Sequence, residues 1–109
     1  MPTRSAKLAV LRPAANVGVV AYTVPANTTV ILKSISVVNM GGAGDTVTVV
    51  SQNVAGRNGF AINGQVLASS GTAFWSGWLV MGPTDSIVVV SVTGLSDFWI
   101  SGTILPGVA

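Results

Sequence analysis

The sequence predicts an all-β domain: an antiparallel β-sandwich of about eight strands with an extended N-terminal arm. Three observations predict this fold. The 109-residue chain contains no Glu, and its Ala residues stand singly or in pairs, which disfavours long helices. Val, Ile and Thr are concentrated in short runs, as they are in strands. Turn residues separate these runs at intervals of about 8–12 residues, the spacing typical of sandwiches and barrels.

Residues 1–16 are predicted to form the arm, and residues 17–109 the sandwich domain. The first segment holds three of the five basic residues, Arg4, Lys7 and Arg12, and shows no regular periodicity. We expect the arm to lie across a neighbouring subunit, with these three side chains binding the partner. The alternative is a disordered terminus without a binding role.

Turn residues bound each predicted strand. The segments 25–27 and 41–45 close the first two strands. Asn63-Gly64 is predicted to form a tight type I′ turn, because both of its positions accept positive φ angles. The residues on either side of that turn would form an antiparallel hairpin. The predicted strands are 17–24, 29–39, 46–49, 60–62, 65–67, 72–80, 86–92 and 98–105.

Two predicted strands have patterns that depart from a simple alternation of buried and exposed residues. Residues 87–90 are apolar at every position, so this strand is expected to be buried on both faces, either centrally in its sheet or beneath a neighbouring subunit. Lys33 shares the parity of Ile35 and Val37, which are expected in the core. Lys33 therefore either snorkels from a strand end or marks a bulge that switches faces.

The three tryptophans are the most informative side chains, because Trp buries a large area and is enriched at interfaces. Trp75 and Trp78 are separated by an odd number of residues, so they point to opposite faces of an unbroken strand. We expect Trp78 to share a face with Phe74, and Trp75 to lie on the other face beneath a neighbouring chain. Trp75, Trp99 and the loop cation Arg57 are the interface candidates. Core packing and a solvated loop tip are the alternative explanations.

The composition indicates a subunit of an assembly. Half of the residues are hydrophobic and 7% are charged, against roughly a quarter charged in an ordinary soluble domain. Apolar surface is therefore expected to be buried between subunits. The pI of 9.7 reflects a scarcity of acidic residues, without a basic cluster that could neutralise several phosphates. We expect neither nucleic acid nor a membrane as a partner, since no apolar run approaches the roughly 20 residues of a membrane helix.

The sequence offers little catalytic chemistry. It has neither His nor Cys, so acid–base chemistry would depend on carboxylates. Asp45, Asp85 and Asp97 each follow turn residues, where Asp side chains cap turns. An enzyme or metal site would require at least two of them to converge. We predict a non-enzymatic protein with no catalytic, cofactor-binding or metal-binding residues, no cofactor and no small-molecule substrate.

Three segments resemble small virion proteins of tailed bacteriophages: YTVPANTTVILKSISVVN at 22–39, WSGWLVMGPTDSIVVVSV at 75–92 and SGTIL at 101–105. In those proteins a Val-Pro-Ala turn leads into a Lys-Ser-Ile strand, and a Pro-x-Asp-x-Ile turn and strand precede a final strand with Ser-Gly. The resemblance implies a jelly-roll-like sandwich, often trimeric, mounted on the capsid as a decoration or cement protein, or on the neck or tail. No catalytic residue carries over.

These observations together predict a virion structural protein that is made in the host cytoplasm. We expect a homotrimeric capsid decoration protein that binds and stabilises the phage head. Its expected partners are copies of itself and the major capsid protein, or neck and tail proteins. The alternative is a neck, tail or fibre component that acts as a receptor-binding or carbohydrate-binding module through exposed tryptophans.

Overall fold

The computed structural model describes residues 4–53 and 58–106, and these form two four-stranded antiparallel sheets. The predicted all-β sandwich is confirmed. Sheet A has the order β1-β8-β3-β6 and sheet B the order β2-β7-β4-β5. The described ranges contain no helix long and apolar enough to cross a membrane. The strands are β1 (Arg4–Leu11), β2 (Val19–Thr23), β3 (Thr28–Asn39), β4 (Asp45–Gln52), β5 (Asn58–Leu67), β6 (Thr72–Met81), β7 (Ser86–Ser91) and β8 (Ser96–Pro106).

The strands pair from the outside of the chain inwards. The first strand pairs with the eighth, the second with the seventh, the third with the sixth and the fourth with the fifth. Two further pairings, β3 with β8 and β4 with β7, join these pairs into the two sheets. Eight antiparallel strands wound in this way into two packed sheets form a jelly roll.

The core lies between the sheets and follows the period-two alternation of the strands. In β7, Ile87 and Val89 are fully buried, while Val88 and Val90 on the other side are half-buried. The strand lies centrally, between β2 and β4, but the expected burial on both faces is met only in part, because its outer side chains are half-buried. Each fully buried Val, Leu, Ile or Phe contributes roughly 1.5–3 kcal/mol. The fully buried side chains of sheet A include Leu32, Ile35, Phe98 and Ile100.

Most of the segment expected to be an arm lies within the sandwich. Residues Arg4–Leu11 form β1, an edge strand of sheet A that pairs with β8. The register shifts between Lys7 and Ala9, and Leu8, Ala9 and Leu11 all pack against the core. This shift explains why the sequence shows no regular alternation there. Contact between segment 1–16 and a neighbouring subunit stays a prediction.

The hairpin predicted at Asn63-Gly64 is wrong. The residues on both sides of it belong to the single strand β5, and both pair with β4. Asn63 and Gly64 together lie opposite Thr48, whose Oγ1 accepts a hydrogen bond from the Gly64 amide at 3.1 Å. Gly64 has φ +62°, which suits a bulge as well as a hairpin turn. Local sequence therefore could not distinguish the two.

Lys33 occupies a bulge, so the second of its two alternatives is confirmed. On β8, Leu32 pairs with Gly102 and Ser34 with Ser101, which leaves Lys33 as an extra residue. Leu32 and Ile35 are both fully buried although they are an odd number of residues apart. The bulge thus moves Lys33 out of the core and lets both halves of β3 keep their apolar side chains inside.

Candidate functional site

The outer face of sheet A is rich in exposed aromatic side chains. Trp78, Phe74 and Trp99 are 74%, 69% and 48% exposed, so their rings are open to a partner. Two of them belong to a row of paired residues that crosses all four strands. The row consists of Val10, Trp99, Ser36 and Phe74. We call this outer surface of sheet A the aromatic face.

Lysines lie against two of these rings. The Nζ of Lys7 is 5.6 Å from the centroid of Trp99, and the Nζ of Lys33 is 3.2 Å from the centroid of Trp78. Both are within the range of cation–π attraction. The four side chains come from β1, β8, β3 and β6 in turn, which are successive strands of the sheet. Cations and indole rings therefore alternate across the aromatic face.

Serines form the floor between the large side chains. The row next to the aromatic one pairs Lys7 with Ser101, Ser101 with Ser34, and Ser34 with Ser76. These three serine hydroxyls and that of Ser36 have no hydrogen-bond partner among the described residues, and none is buried. Their hydroxyl groups are available to a ligand.

An ion pair flanks the aromatic face. Arg12 donates from Nε to Oδ1 of Asp97 at 2.6 Å and from its terminal nitrogen to Oδ2 at 3.1 Å. This bond holds the pKa of Asp97 below its usual range. Asp97 was expected to cap a turn, but it binds the segment after β1 instead. Lys7 and Lys33 form no ion pair with any described residue, so their charges are uncompensated.

Asp45 joins the two sheets at one end of the sandwich. It is 3% exposed and accepts hydrogen bonds from the hydroxyls of Ser91 and Ser96, both at 2.5 Å, and from the amides of Thr46 and Thr93. Burial alone would raise the pKa of Asp45, but these bonds outweigh it and lower the pKa to about 2. Because Asp45 starts β4 and Ser96 starts β8, the carboxylate connects sheet B to sheet A.

The three carboxylates are each engaged separately. Asp85 caps the turn before β7 by accepting a hydrogen bond from the Gly82 amide at 2.9 Å, as predicted. Asp45 interacts with Ser91 at the opposite end of β7, and Asp97 is paired with Arg12. In the described part of the chain, no group of three or more His, Cys, Asp or Glu residues could hold a metal ion.

The outer face of sheet B has a different character. Val20, Val88 and Val50 pair in one row across β2, β7 and β4, in which Val20 is exposed, Val88 half-buried and Val50 buried. Val20 and Val66 are 58% and 72% exposed. Asp45 is the one charged residue of β2, β4, β5 and β7, and it is buried at the start of β4. We call the outer surface of sheet B the valine face.

The structure separates the predicted site residues. Lys7 and Trp99 lie together on the aromatic face, whereas Arg57 lies outside the described residues. Arg4 begins β1 opposite Ile104, and nothing is described of its side chain. Phe74 and Trp78 share one face of β6, as predicted. Trp75 lies on the opposite, inner face and packs against the core, so the exposed tryptophan of this strand is Trp78.

Sequence reasoning missed three members of the aromatic face: Phe74, Trp78 and Lys33. The shared parity of Phe74 and Trp78 was visible in the sequence, but not which side of β6 faced outward. The proximity of Lys33 to Trp78 depends on the bulge in β3 and on the pairing of β3 with β6. Neither could be read from local sequence.

No family model and no curated protein matches this chain. Solved structures do match. A chain of the T13 viral particle of infectious bursal disease virus aligns with 97% of this chain, at 11% identity and a TM-score of 0.61. A chain of the VP2 subviral particle of the same virus aligns with 96%, at 12% identity and a TM-score of 0.55. This chain covers 31% and 30% of the lengths of those two chains, about a third.

A third match comes from Bacillus endospore appendages, described as a family of disulfide-linked pili. It aligns with 98% of this chain and 89% of its own length, at 16% identity and a TM-score of 0.52. At such identities the likeness shows a shared fold. A similar β-sandwich is thus found both in virus particles and in a pilus of Bacillus endospores.

Proposed function

We propose that this chain is a non-enzymatic structural subunit of a virion, and that it assembles as a homotrimer that decorates and stabilises a phage head. The jelly-roll fold shared with chains of viral particles supports a particle subunit. The resemblance of three segments to tailed-phage virion proteins supports the phage assignment. A role as a subunit of disulfide-linked pili, like the Bacillus match, receives less support, because this chain has no Cys and cannot form disulfide links.

The valine face is the observation that carries this proposal. Val20 and Val66 are largely exposed there, yet no charged side chain accompanies them among the described residues of that face. A neutral surface of Val and Thr can meet a copy of itself without charge repulsion. An apolar surface of this kind is typical of interfaces between subunits. The occupant we propose for the valine face is therefore a sister subunit.

The free edge of β1 offers a second contact. This strand pairs only with β8 among the described strands, so one side of its backbone has unpaired N–H and C=O groups. Arg4, Lys7 and Arg12 belong to this strand or follow it directly. We propose that this edge contacts the phage shell or a sister subunit, which retains the predicted role of segment 1–16 in binding a partner.

Analytical ultracentrifugation tests the assembly. The wild-type chain is expected to sediment as a trimer, and Val20→Asp is expected to weaken association by at least about 100-fold, because each interface would bury an unpaired carboxylate. The matched control is Val80→Asp, which makes the same change at an exposed position of β6 on the aromatic face and should leave association unchanged. A monomeric wild-type chain, or equal effects of the two variants, would contradict the role of the valine face.

Binding to phage heads that lack the protein tests the location. The wild-type chain should co-sediment with such heads and raise the temperature at which they rupture. A trimer that binds tails and not heads would move the subunit to the neck or tail. A chain that binds neither heads nor tails would overturn the virion assignment.

A further inference from the structure

We propose that the aromatic face binds an acidic polysaccharide, an extended chain of sugars that carry carboxylates. This activity goes beyond assembly and uses the sheet opposite to the valine face. The juxtaposition that carries it is a serine floor flanked by aromatic rings and by two uncompensated lysines. Each part corresponds to one feature of such a ligand.

The aromatic rings correspond to the apolar faces of sugar rings. Trp99 and Phe74 lie in one row with only Ser36 between them, so their strands are two inter-strand spacings apart, roughly 10 Å. Both rings are open to solvent. Rings placed on either side of a small residue can stack on two sugars of one chain. A single exposed tryptophan could stack on only one.

The serine floor corresponds to the hydroxyl groups of the ligand. The hydroxyls of Ser34, Ser36, Ser76 and Ser101 are unpaired within the described part of the chain. The buried Ser91 and Ser96, by contrast, are engaged in structure, because each donates a hydrogen bond to Asp45. The floor thus has donors and acceptors without a structural role, and a sugar chain offers complementary groups along its length.

The lysines correspond to the carboxylates. Lys7 and Lys33 have no acidic partner among the described residues, whereas Arg12 on the same side is already paired with Asp97. Their contact with indole rings holds the ammonium groups close to the rings on which sugars would stack. Charge complementarity therefore selects an acidic ligand over a neutral one.

Other polyanions and partners fit less well. A nucleic acid requires several phosphates to be neutralised together, and two lysines on the face are too few for more than weak binding. A protein partner would favour a continuous apolar centre. Here serines separate the aromatic side chains, so the apolar surface is interrupted.

Isothermal titration calorimetry with polygalacturonate fragments of defined length tests the proposal, with dextran of equal length as the neutral probe. The full-length wild-type chain should bind polygalacturonate and not dextran. Trp99→Ala and Phe74→Ala should each weaken binding about tenfold. Trp99→Tyr should restore most of the loss, because it keeps a stacking ring. Val66→Ala on the valine face is the control and should bind like wild type.

The charges are tested separately from the rings. Lys33→Gln and Lys7→Gln should each weaken binding several-fold, about fivefold, and raising the salt concentration should do the same. Gln65→Glu lowers the net charge by the same amount on β5 and should have no effect. Equal weakening by Gln65→Glu would mean that only the overall charge matters, which overturns the site.

Three further outcomes would overturn the proposal. The first is an absence of polygalacturonate binding by the wild-type chain. The second is equal or tighter binding of single-stranded DNA, which would reassign the face to nucleic acid. The third is a loss of polygalacturonate binding when the wild-type subunits associate, which would mean that the trimer buries Trp99 and excludes the sugar. Because the wild-type measurements decide all three, the result does not depend on the folding of any variant.

Discussion

The outer faces of the two sheets are built on the same strand pattern but differ in chemistry. The valine face crosses its sheet with Val20, Val88 and Val50 and carries no charge among its described residues. The aromatic face carries tryptophan and phenylalanine rings, serines and two lysines. One sheet is suited to contact with a like surface, and the other to a ligand with polar and charged groups.

The difference can be traced to the central strand pairs. In sheet B, β4 and β7 keep one register along their whole contact, so no extra residue interrupts their pairing. In sheet A, the register of β3 against β8 shifts at Lys33. That shift places Lys33 on the outer face of the sheet, beside Ser34 and Ser36. A single inserted residue therefore changes the charge of the outer face.

The largest effect is expected where the two sheets are joined. Asp45→Asn replaces a carboxylate that accepts four hydrogen bonds with an amide that can accept fewer and brings its own N–H groups. We expect the free energy of unfolding to fall by about 3 kcal/mol, measured by urea denaturation. The control is Asp85→Asn, which loses one bond to Gly82 and should cost about 1 kcal/mol. Equal losses would mean that Asp45 is an ordinary turn cap.

Acid should weaken the connection that Asp45 makes between the two sheets. The pKa of Asp45 is lowered from 3.8 to about 2 in the folded chain, so the folded state binds this proton less readily than the unfolded state. The stabilisation is complete above about pH 4 and is lost as the pH falls towards 2. The loss is about 2 kcal/mol. Asp97 contributes in the same direction, so the measurement is the difference between wild type and Asp45→Asn. Parallel pH profiles for the two proteins would refute this prediction.

The register shift in sheet A can be tested at Gly102. A Cβ there would lie 2.6 Å from the carbonyl oxygen of Ile31, a backbone atom that cannot easily move. Gly102→Ala should therefore reduce the free energy of unfolding by about 2 kcal/mol. Gly42→Ala, at a position where a Cβ meets nothing within 4 Å, is the matched control. Similar melting temperatures for the two variants would show that the strands can shift to make room.

The smallest effect is expected on the aromatic face. Lys33→Gln removes the cation that lies 3.2 Å from the Trp78 ring, and should cost about 0.5 kcal/mol because the site is exposed. Lys7→Gln should cost less, since Lys7 is 5.6 Å from Trp99. A double-mutant cycle of Lys33→Gln with Trp78→Ala isolates the pairwise energy. A coupling energy of zero would contradict this prediction, because it would mean that Lys33 and Trp78 do not interact.

The sequence was sufficient for elements whose signals are local. The alternation in β4, the apolar run in β7 and the turn capped by Asp85 all follow from neighbouring residues. Strand β1 was missed, because a bulge breaks its alternation and its partner β8 is at the other end of the chain. The same limit applies to the candidate site. Lys33 and Trp78 meet only because β3 pairs with β6, and no local pattern records that pairing.

The outside-in pairing of the strands also sets the order in which they can pair while the chain is being synthesised. Strands β4 and β5 are close in the chain and can pair soon after they are made, whereas β1 has to wait for β8. Until then the N-terminal strand has both of its edges unpaired, and its Leu8 and Leu11 have no completed core to pack against. Non-local pairings of this kind fold slowly. During that interval β1 can pair with the β8 of another newly made copy. We therefore expect domain swapping of β1 when many copies of this chain are synthesised close together.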